Sequence, residues 1–270
     1  SLGANTTGSE NTAVGANALD ANTTATNNVA FGYLALTSTT TGGSNTAIGR
    51  SALANNTASS NVAVGASAMI MNTTGTQNVA VGFLSLDANT TASNNVAIGN
   101  SSLTTNTTGA SNVAVGSFSL SVNTTGSNNV AIGREALEKN STASNNTAVG
   151  HNALEENTTG TQNVAVGANA LDANTTGGAN VAIGENALTA NTTANNNTSI
   201  GRHSMVSNTT GTQNVAVGTN ALDANTTASN LTAVGYNALG ANTTGGDNTA
   251  VGKGALLSNT TGSQNNAFGE

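Results

Sequence analysis

The chain has 270 residues and a net charge of −7, and only 6% of its residues are charged and 2% aromatic. Because it has no cysteine, a disulfide framework, a thiolate zinc site and a cysteine nucleophile are excluded. The excess of acidic over basic residues argues against a phosphate-binding surface, and no stretch approaches the roughly 18 apolar residues of a membrane-spanning helix.

A pentapeptide, Asn-x-Ala-Val-Gly, recurs along the whole chain. Its glycine stands at position 15 and then at 17-residue intervals up to 269, except for one 16-residue interval between Gly49 and Gly65. The consensus of one repeat is N-[VT]-A-[VI]-G-x-x-[AS]-L-x-x-N-T-T-[GA]-x-x, and we number its positions as slots 1 to 17. Slots 1, 3, 4, 5, 9 and 15 barely vary, whereas slots 6, 7, 10, 11, 16 and 17 vary freely and carry nearly all charges.

Within each repeat, slots 1–5 alternate between Val, Ile or Thr on one side and Asn, Ala and Gly on the other. This period of two predicts a strand of about five residues. Slots 7–9 and 12–14 are candidates for two further short extended pieces, and Asn at slots 12 and 17 and Gly at slots 5 and 15 predict turns. One strand cannot bury an apolar face alone, whereas stacked identical coils can.

The sequence therefore predicts an all-β parallel β-solenoid (β-roll) with one 17-residue coil per repeat and about 16 coils. We expect residues 1–270 to form a single repeat domain, a segment of a longer solenoid or filament, about 75 Å long at the usual strand spacing. The 16-residue coil that ends at Gly65 lacks one Thr, and the preceding coil has Thr39 where Asn is usual. We predict a small local break in the Asn ladder there, in a turn, with the strands on both sides in register.

The predicted core consists of the ladders that slots 4 and 9 form along the rod, with members Val14, Leu19, Ile48, Leu53, Val81, Leu86, Ile132, Leu137, Val166 and Leu171. Slot 1 Asn is expected to stack as a ladder in which side chains bond to side chains. Slot 2 holds Val in nine copies and Thr in six. Because an unpaired buried hydroxyl costs about 1–3 kcal/mol, slot 2 is expected at a margin or an interface. So few large apolar groups per coil predict an oligomer.

The pentapeptide followed by x-x-Ala/Ser resembles the head repeat of trimeric autotransporter adhesins, and residues 61–65, 95–99, 129–133 and 180–184 carry the match. The 17-residue form with Asn-Thr-Thr-Gly is also similar to repeats of phage tail fibres and large secreted surface proteins. This resemblance implies a left-handed parallel β-roll, three chains to a head, and binding to host-surface ligands. It implies no catalytic residues.

No group of side chains has the spacing of a catalytic or metal site. His151 and His203 lie three coils apart in variable slots. Four aspartates share slot 10 without lying on adjacent coils, so they cannot form a calcium cage, which needs six or more oxygens: Asp20, Asp87, Asp172 and Asp223. We therefore predict no enzyme activity, no cofactor and no metal.

Asn-Thr-Thr occurs in thirteen coils and allows three interpretations. It can form a turn with an amide ladder, it can present threonine hydroxyls as an ice-binding face, or it can be an acceptor for N-linked glycans. The candidate glycosylation sites are Asn22, Asn72, Asn89, Asn157 and Asn225.

Together these observations favour a structural, multivalent fibre or adhesin segment that is extracellular or on a cell or virion surface. The expected partners are further copies of the chain, as a trimer or an end-to-end filament, and a host-surface or glycan ligand. Nucleic acid and direct membrane insertion are not expected. The alternative is an ice-binding β-solenoid that uses stacked Thr ladders.

Overall fold

The computed structural model describes all 270 residues and contains strands and turns but no helix. Short parallel strands stack as a β-solenoid with one strand per coil and 17-residue spacing, so the predicted fold class is confirmed. The chain consists of two compact units, Ser1–Arg134 and Glu135–Glu270. Each unit contains eight strands.

Every strand has three residues, which occupy slots 2–4 of its coil. The first unit contains β1 (Thr12–Val14), β2 (Val29–Phe31), β3 (Thr46–Ile48), β4 (Val62–Val64), β5 (Val79–Val81), β6 (Val96–Ile98), β7 (Val113–Val115) and β8 (Val130–Ile132). The second contains β9 (Thr147–Val149), β10 (Val164–Val166), β11 (Val181–Ile183), β12 (Thr198–Ile200), β13 (Val215–Val217), β14 (Thr232–Val234), β15 (Thr249–Val251) and β16 (Asn266–Phe268).

Within each unit, successive strands pair in parallel and in register, slot against slot. In the first unit Val113 faces Val130 and Val115 faces Ile132; in the second, Val164 faces Val181. Backbone bonds continue the ladder beyond the strands: the Val113 amide donates to the Asn129 carbonyl over 2.8 Å. Each slot therefore becomes a row of side chains that runs along its unit.

The predicted extended pieces at slots 7–9 and 12–14 are wrong, because slots 6–11 form turns and slots 13 and 14 a bend. Slots 7 and 9 have a left-handed backbone, as Asn17 (φ 55) and Leu19 (φ 51) show. Slot 17 and the slot 5 glycines also have positive φ. Four left-handed positions per coil turn the backbone back onto itself within 17 residues.

The interior of each coil is lined by the small slot 3 residue, the small slot 8 residue and one large slot 9 side chain. Ala97 and Leu103 illustrate this arrangement, because neither exposes any surface. The slot 9 residues that the sequence places in the core are all fully buried: Leu19, Leu53, Leu86, Leu137 and Leu171. Slot 9 therefore provides the one large apolar side chain inside each coil.

The prediction that slot 4 belongs to the core is wrong. Val14, Ile48 and Ile132 are exposed, and Val81 and Val166 are partly exposed. The alternation along the strand is as predicted, but its direction is reversed, because slots 1 and 3 point inward and slots 2 and 4 outward. Small slot 3 side chains leave room for the slot 9 side chain, whereas two rows of Val and Ile would overfill so narrow an interior.

At the 16-residue coil the strands stay in register, since Thr46 pairs with Val62 and Ile48 with Val64. The disturbance lies one coil earlier in the slot 12 ladder, where Thr39 stands in place of Asn and donates its hydroxyl to the Asn56 carbonyl over 2.7 Å. The side-chain oxygen of Asn22 in the preceding coil consequently has no hydrogen-bond partner. The predicted local break in an Asn ladder is confirmed.

Candidate functional surfaces

The Asn side chains of slot 12 form a buried amide ladder. Asn89 Nδ2 donates to Asn72 Oδ1 of the preceding coil over 2.8 Å and to the Ala92 carbonyl of its own coil over 3.0 Å. Both amide hydrogens are thereby used, and Asn89 Oδ1 accepts a hydrogen bond from Asn106 Nδ2 of the next coil over 3.2 Å. These hydrogen bonds offset the desolvation cost of burying one amide side chain in every coil.

The glycosylation prediction is therefore wrong for the folded protein. The five candidate asparagines expose no surface: Asn22, Asn72, Asn89, Asn157 and Asn225. Their amide nitrogens are donors in the slot 12 ladder, as Asn157 Nδ2 is to Asn140 Oδ1 over 3.0 Å. A glycan on such a nitrogen has no room in the interior of the coil.

A second Asn row, at slot 1, connects coils in another way. The backbone amide of Asn95 donates to Asn78 Oδ1 of the preceding coil over 2.9 Å, and Asn95 Nδ2 donates to the Gly109 carbonyl at slot 15 over 2.9 Å. The expected side-chain-to-side-chain bond is present in some coils, as between Asn129 and Asn112 (3.2 Å). The continuous side-chain ladder lies at slot 12.

The two threonines of Asn-Thr-Thr have different environments. At slot 13 the hydroxyl donates to the slot 13 carbonyl of the next coil, as Thr175 does to Thr192 over 3.0 Å. At slot 14 the side chain is exposed in successive coils, for example Thr176 and Thr193. Only one Thr row is therefore free to meet an external ligand.

Slots 2 and 4 form an apolar surface on each unit, which we call the slot 2/4 face. Its side chains are Val, Ile, Phe and Thr, with Asn266 as the one exception. Exposed apolar members are Val14, Val29, Phe31, Ile48, Ile98 and Ile132 in the first unit and Ile183, Ile200, Val215 and Phe268 in the second. Sequence reasoning misassigned slot 4, although the mixture of Val and Thr at slot 2 indicated an exposed row.

Charges lie in the turns, where adjacent coils bring equivalent slots together. Arg202 Nε lies 3.0 Å from Glu185 Oε2, one coil away at slot 6. At slot 10, three adjacent coils of the second unit carry the carboxylates Glu138, Glu155 and Asp172. Of the four slot 10 aspartates named in the sequence analysis, only Asp172 belongs to this acidic row.

The environment of this row perturbs its titration. Burial raises the pKa of Glu155, and the charge of Asp172 raises it further. Burial followed by the charge of Glu156 raises the pKa of Asp172. Burial, the largest single effect, lowers the pKa of Lys139, but the combined attraction of Glu138 (3.4 Å), Glu156 and Glu155 outweighs it, so that the pKa is raised.

Each histidine lies beside a side chain of the adjacent coil. His151 Nε2 lies 4.0 Å from Glu135 Oε2, and His203 Nε2 lies 3.1 Å from Asn186 Nδ2. Beside His203, Ser204 Oγ donates to the Gly201 carbonyl over 2.8 Å inside the coil. No group of three or more His, Asp or Glu side chains is arranged to hold a metal ion.

One surface hollow of about 310 Å³ lies in the second unit between Tyr236, Lys253 and Leu257. No helix has the length and apolarity needed to cross a bilayer. Comparison with models of known protein families found no match. A search of curated proteins likewise found no significant relative.

Proposed function

We propose that this protein is a structural, multivalent segment of an extracellular fibre or adhesin, on a cell or virion surface, that displays binding positions along a β-solenoid without catalysing a reaction. One observation carries the proposal: every coil repeats the same buried framework, while the exposed turn slots differ from coil to coil. At slot 6, for instance, successive parts of the chain present Tyr33, Arg50, His151, Glu185 and Lys253.

A repeated framework with variable exposed positions suits attachment to extended surfaces. Many weak contacts at fixed spacing add up to strong attachment through effective concentration. The sequence resemblance to adhesin heads and tail-fibre repeats supports the same role, and it suggests homo-oligomers, a trimer or an end-to-end filament. The ligand class that fits is a host-surface or glycan polymer, and the acidic, weakly charged chain does not suit nucleic acid.

Attachment can be tested with beads that carry the full chain and flow over immobilised cellulose, chitin or mannan. We expect retention on at least one polymer, and expect it to fall at least tenfold when the exposed aromatics are removed by Tyr33→Ala, Phe83→Ala and Tyr236→Ala. The control Thr24→Ala, Thr91→Ala and Thr244→Ala changes exposed slot 14 residues and should retain binding. Equal retention of bare and coated beads on all three polymers would argue against a glycan-binding role.

An ice-binding solenoid is the second candidate, favoured by the exposed row of slot 14 threonines. It is the weaker one, because slot 13 hydroxyls bond to the next coil and leave a row one residue wide. Thermal hysteresis of the purified chain separates the two candidates: a freezing-point gap that disappears in the slot 14 variants would favour ice binding.

A further inference from the structure

The slot 2/4 face exposes a larger apolar area than the surface of a typical monomer does. Each unit exposes two rows of eight side chains on this face, and members such as Ile98 and Ile183 are 38% exposed. An unfolded chain exposes about 1.45 Å² per dalton, so a fully exposed Val or Ile residue presents roughly 150 Å². With its sixteen residues about one third exposed, each unit presents on the order of 800 Å² of mostly apolar surface. The largest apolar patch of a typical monomer is about 300–600 Å².

This area matches what a specific partner needs. A standard interface buries about 800 Å² on each partner, so the face of one unit suffices alone. No residue in slots 1–5 of any coil is charged. Two such faces can therefore meet without burying an unpaired charge, although each chain carries a net charge of −7.

The regularity of the face points to a partner with the same repeat. Its side chains project from in-register parallel strands, about 4.8 Å apart along each unit. A second face with the same spacing can interdigitate with it over its whole length, with sheets about 10 Å apart. The slot 2 threonines, such as Thr147 and Thr198, are partly exposed and can find hydroxyl partners across such an interface.

We propose that the slot 2/4 face is where a second copy of this chain packs, sheet against sheet. This deepens the proposed function, because it assigns the expected homo-oligomer to one surface. Slots 2 and 4 make this contact, whereas the slot 3 side chains are buried inside the coil. The variable slots 6, 7, 10 and 11 lie outside slots 2–4 and stay available for display.

The first test is the mass of the full chain in solution, measured by light scattering across a concentration series. The unaltered chain should have at least twice its monomer mass of 26.1 kDa. The double variant Ile98→Lys, Ile183→Lys should raise the dissociation constant at least tenfold. Lysine is chosen because it lowers the magnitude of the net charge, so that general repulsion between chains cannot explain dissociation.

Thr91→Lys with Thr176→Lys is the matched control, since both residues are exposed at slot 14 and the charge change is the same. It should keep the mass of the unaltered chain. Oligomers of unchanged mass in the Ile98→Lys, Ile183→Lys variant would overturn the face assignment and leave an oligomeric fibre standing. If the unaltered chain is a monomer at all concentrations, the homo-oligomer itself is overturned. The result of the bead assay for attachment does not depend on that outcome.

A second measurement tests the proposal even if the lysine variant fails to fold. The chain has no cysteine, so Val166→Cys introduces one label position on the face and Thr159→Cys one at slot 14. Spin labels at 166 should show strong dipolar broadening in the oligomer, because facing sheets lie about 10 Å apart, and labels at 159 should show much less. Equal broadening at both positions, or none at 166, would overturn the proposal.

Discussion

At the scale of single residues, backbone conformation explains why slot 9 is Leu or Met and never Val or Ile. Leu171 has φ 56 and is fully buried. A left-handed residue costs about 1–2 kcal/mol, and a side chain branched at Cβ makes that conformation a much rarer outlier. Leu and Met are not branched at Cβ, so they fill the interior at a lower backbone cost, and their burial offsets the strain.

Leu171→Ile should therefore lower the free energy of unfolding by about 2 kcal/mol or more, although Leu and Ile have the same volume. Leu171→Met, the residue found at Met69 and Met205 in the same slot, should cost less than about 1.5 kcal/mol. Denaturant unfolding followed by circular dichroism measures both. Equal losses would show that volume alone decides slot 9.

The unpartnered oxygen of Asn22 identifies a site where one substitution should stabilise the protein. Thr39→Asn places a donor at the gap in the slot 12 ladder, and we expect the free energy of unfolding to rise by about 1 kcal/mol. Thr41→Asn, at exposed slot 14 of the same coil, supplies the control and should leave it unchanged. A loss of stability on Thr39→Asn would show that the Thr39 bond to Asn56 matters more than the restored ladder.

At the scale of the coil, the slot 5 glycine is the position that permits stacking at strand spacing. A Cβ on Gly218, which has φ +139, would lie 2.5 Å from the Gly235 carbonyl oxygen and 2.7 Å from its carbon. Both atoms belong to the backbone, so the clash cannot be relieved by rotating a side chain. This explains why slot 5 is Gly in every copy, whereas slot 7, also left-handed, accepts Asn, Ser, Leu or Phe.

Gly218→Ala should consequently lower the free energy of unfolding by about 3 kcal/mol. Gly254→Asn is the matched control in the same unit: Gly254 has φ +67, nothing lies within 4 Å of its added Cβ, and most slot 7 residues of that unit are Asn. The control should be neutral or slightly stabilising, because Asn tolerates this conformation and restricts the unfolded chain. Thermal melting of the two variants side by side checks the contrast.

At the scale of the whole molecule, the repeat places residues of the same slot side by side in adjacent coils. Carboxylates at one slot therefore lie close to one another. Glu155 and Asp172 have raised pKa values in the folded protein, first through burial and then through neighbouring carboxylates. The folded state then holds these protons more tightly than the unfolded state does. Stability from this source is fully present below the ordinary carboxyl pKa and is lost as the pH rises through the raised values.

Glu155→Gln should accordingly raise stability at neutral pH and reduce the decline of the denaturation midpoint between acidic and neutral pH. Glu155→Asp keeps the charge and should preserve that decline. Urea titrations at a series of pH values measure the effect for each variant. A midpoint that rises with pH in the unaltered chain would contradict the assigned direction.

The sequence by itself determined the repeat, the strand at the start of every coil, the parallel stacking, the buried slot 9 row and the place where the slot 12 ladder is interrupted. These follow from spacing, because equivalent residues of identical coils must align when the coils stack. Only the tertiary structure decided which side of the strand faces inward. A period-two pattern shows that alternate residues share a face, but it does not show which face is buried. The usual preference for large apolar residues in the interior led to the wrong assignment of Val14 and Ile48. The interior of each coil holds one large slot 9 side chain and two Asn side chains. The remaining space admits only a small side chain such as Ala at slot 3, so the larger Val and Ile side chains lie on the surface.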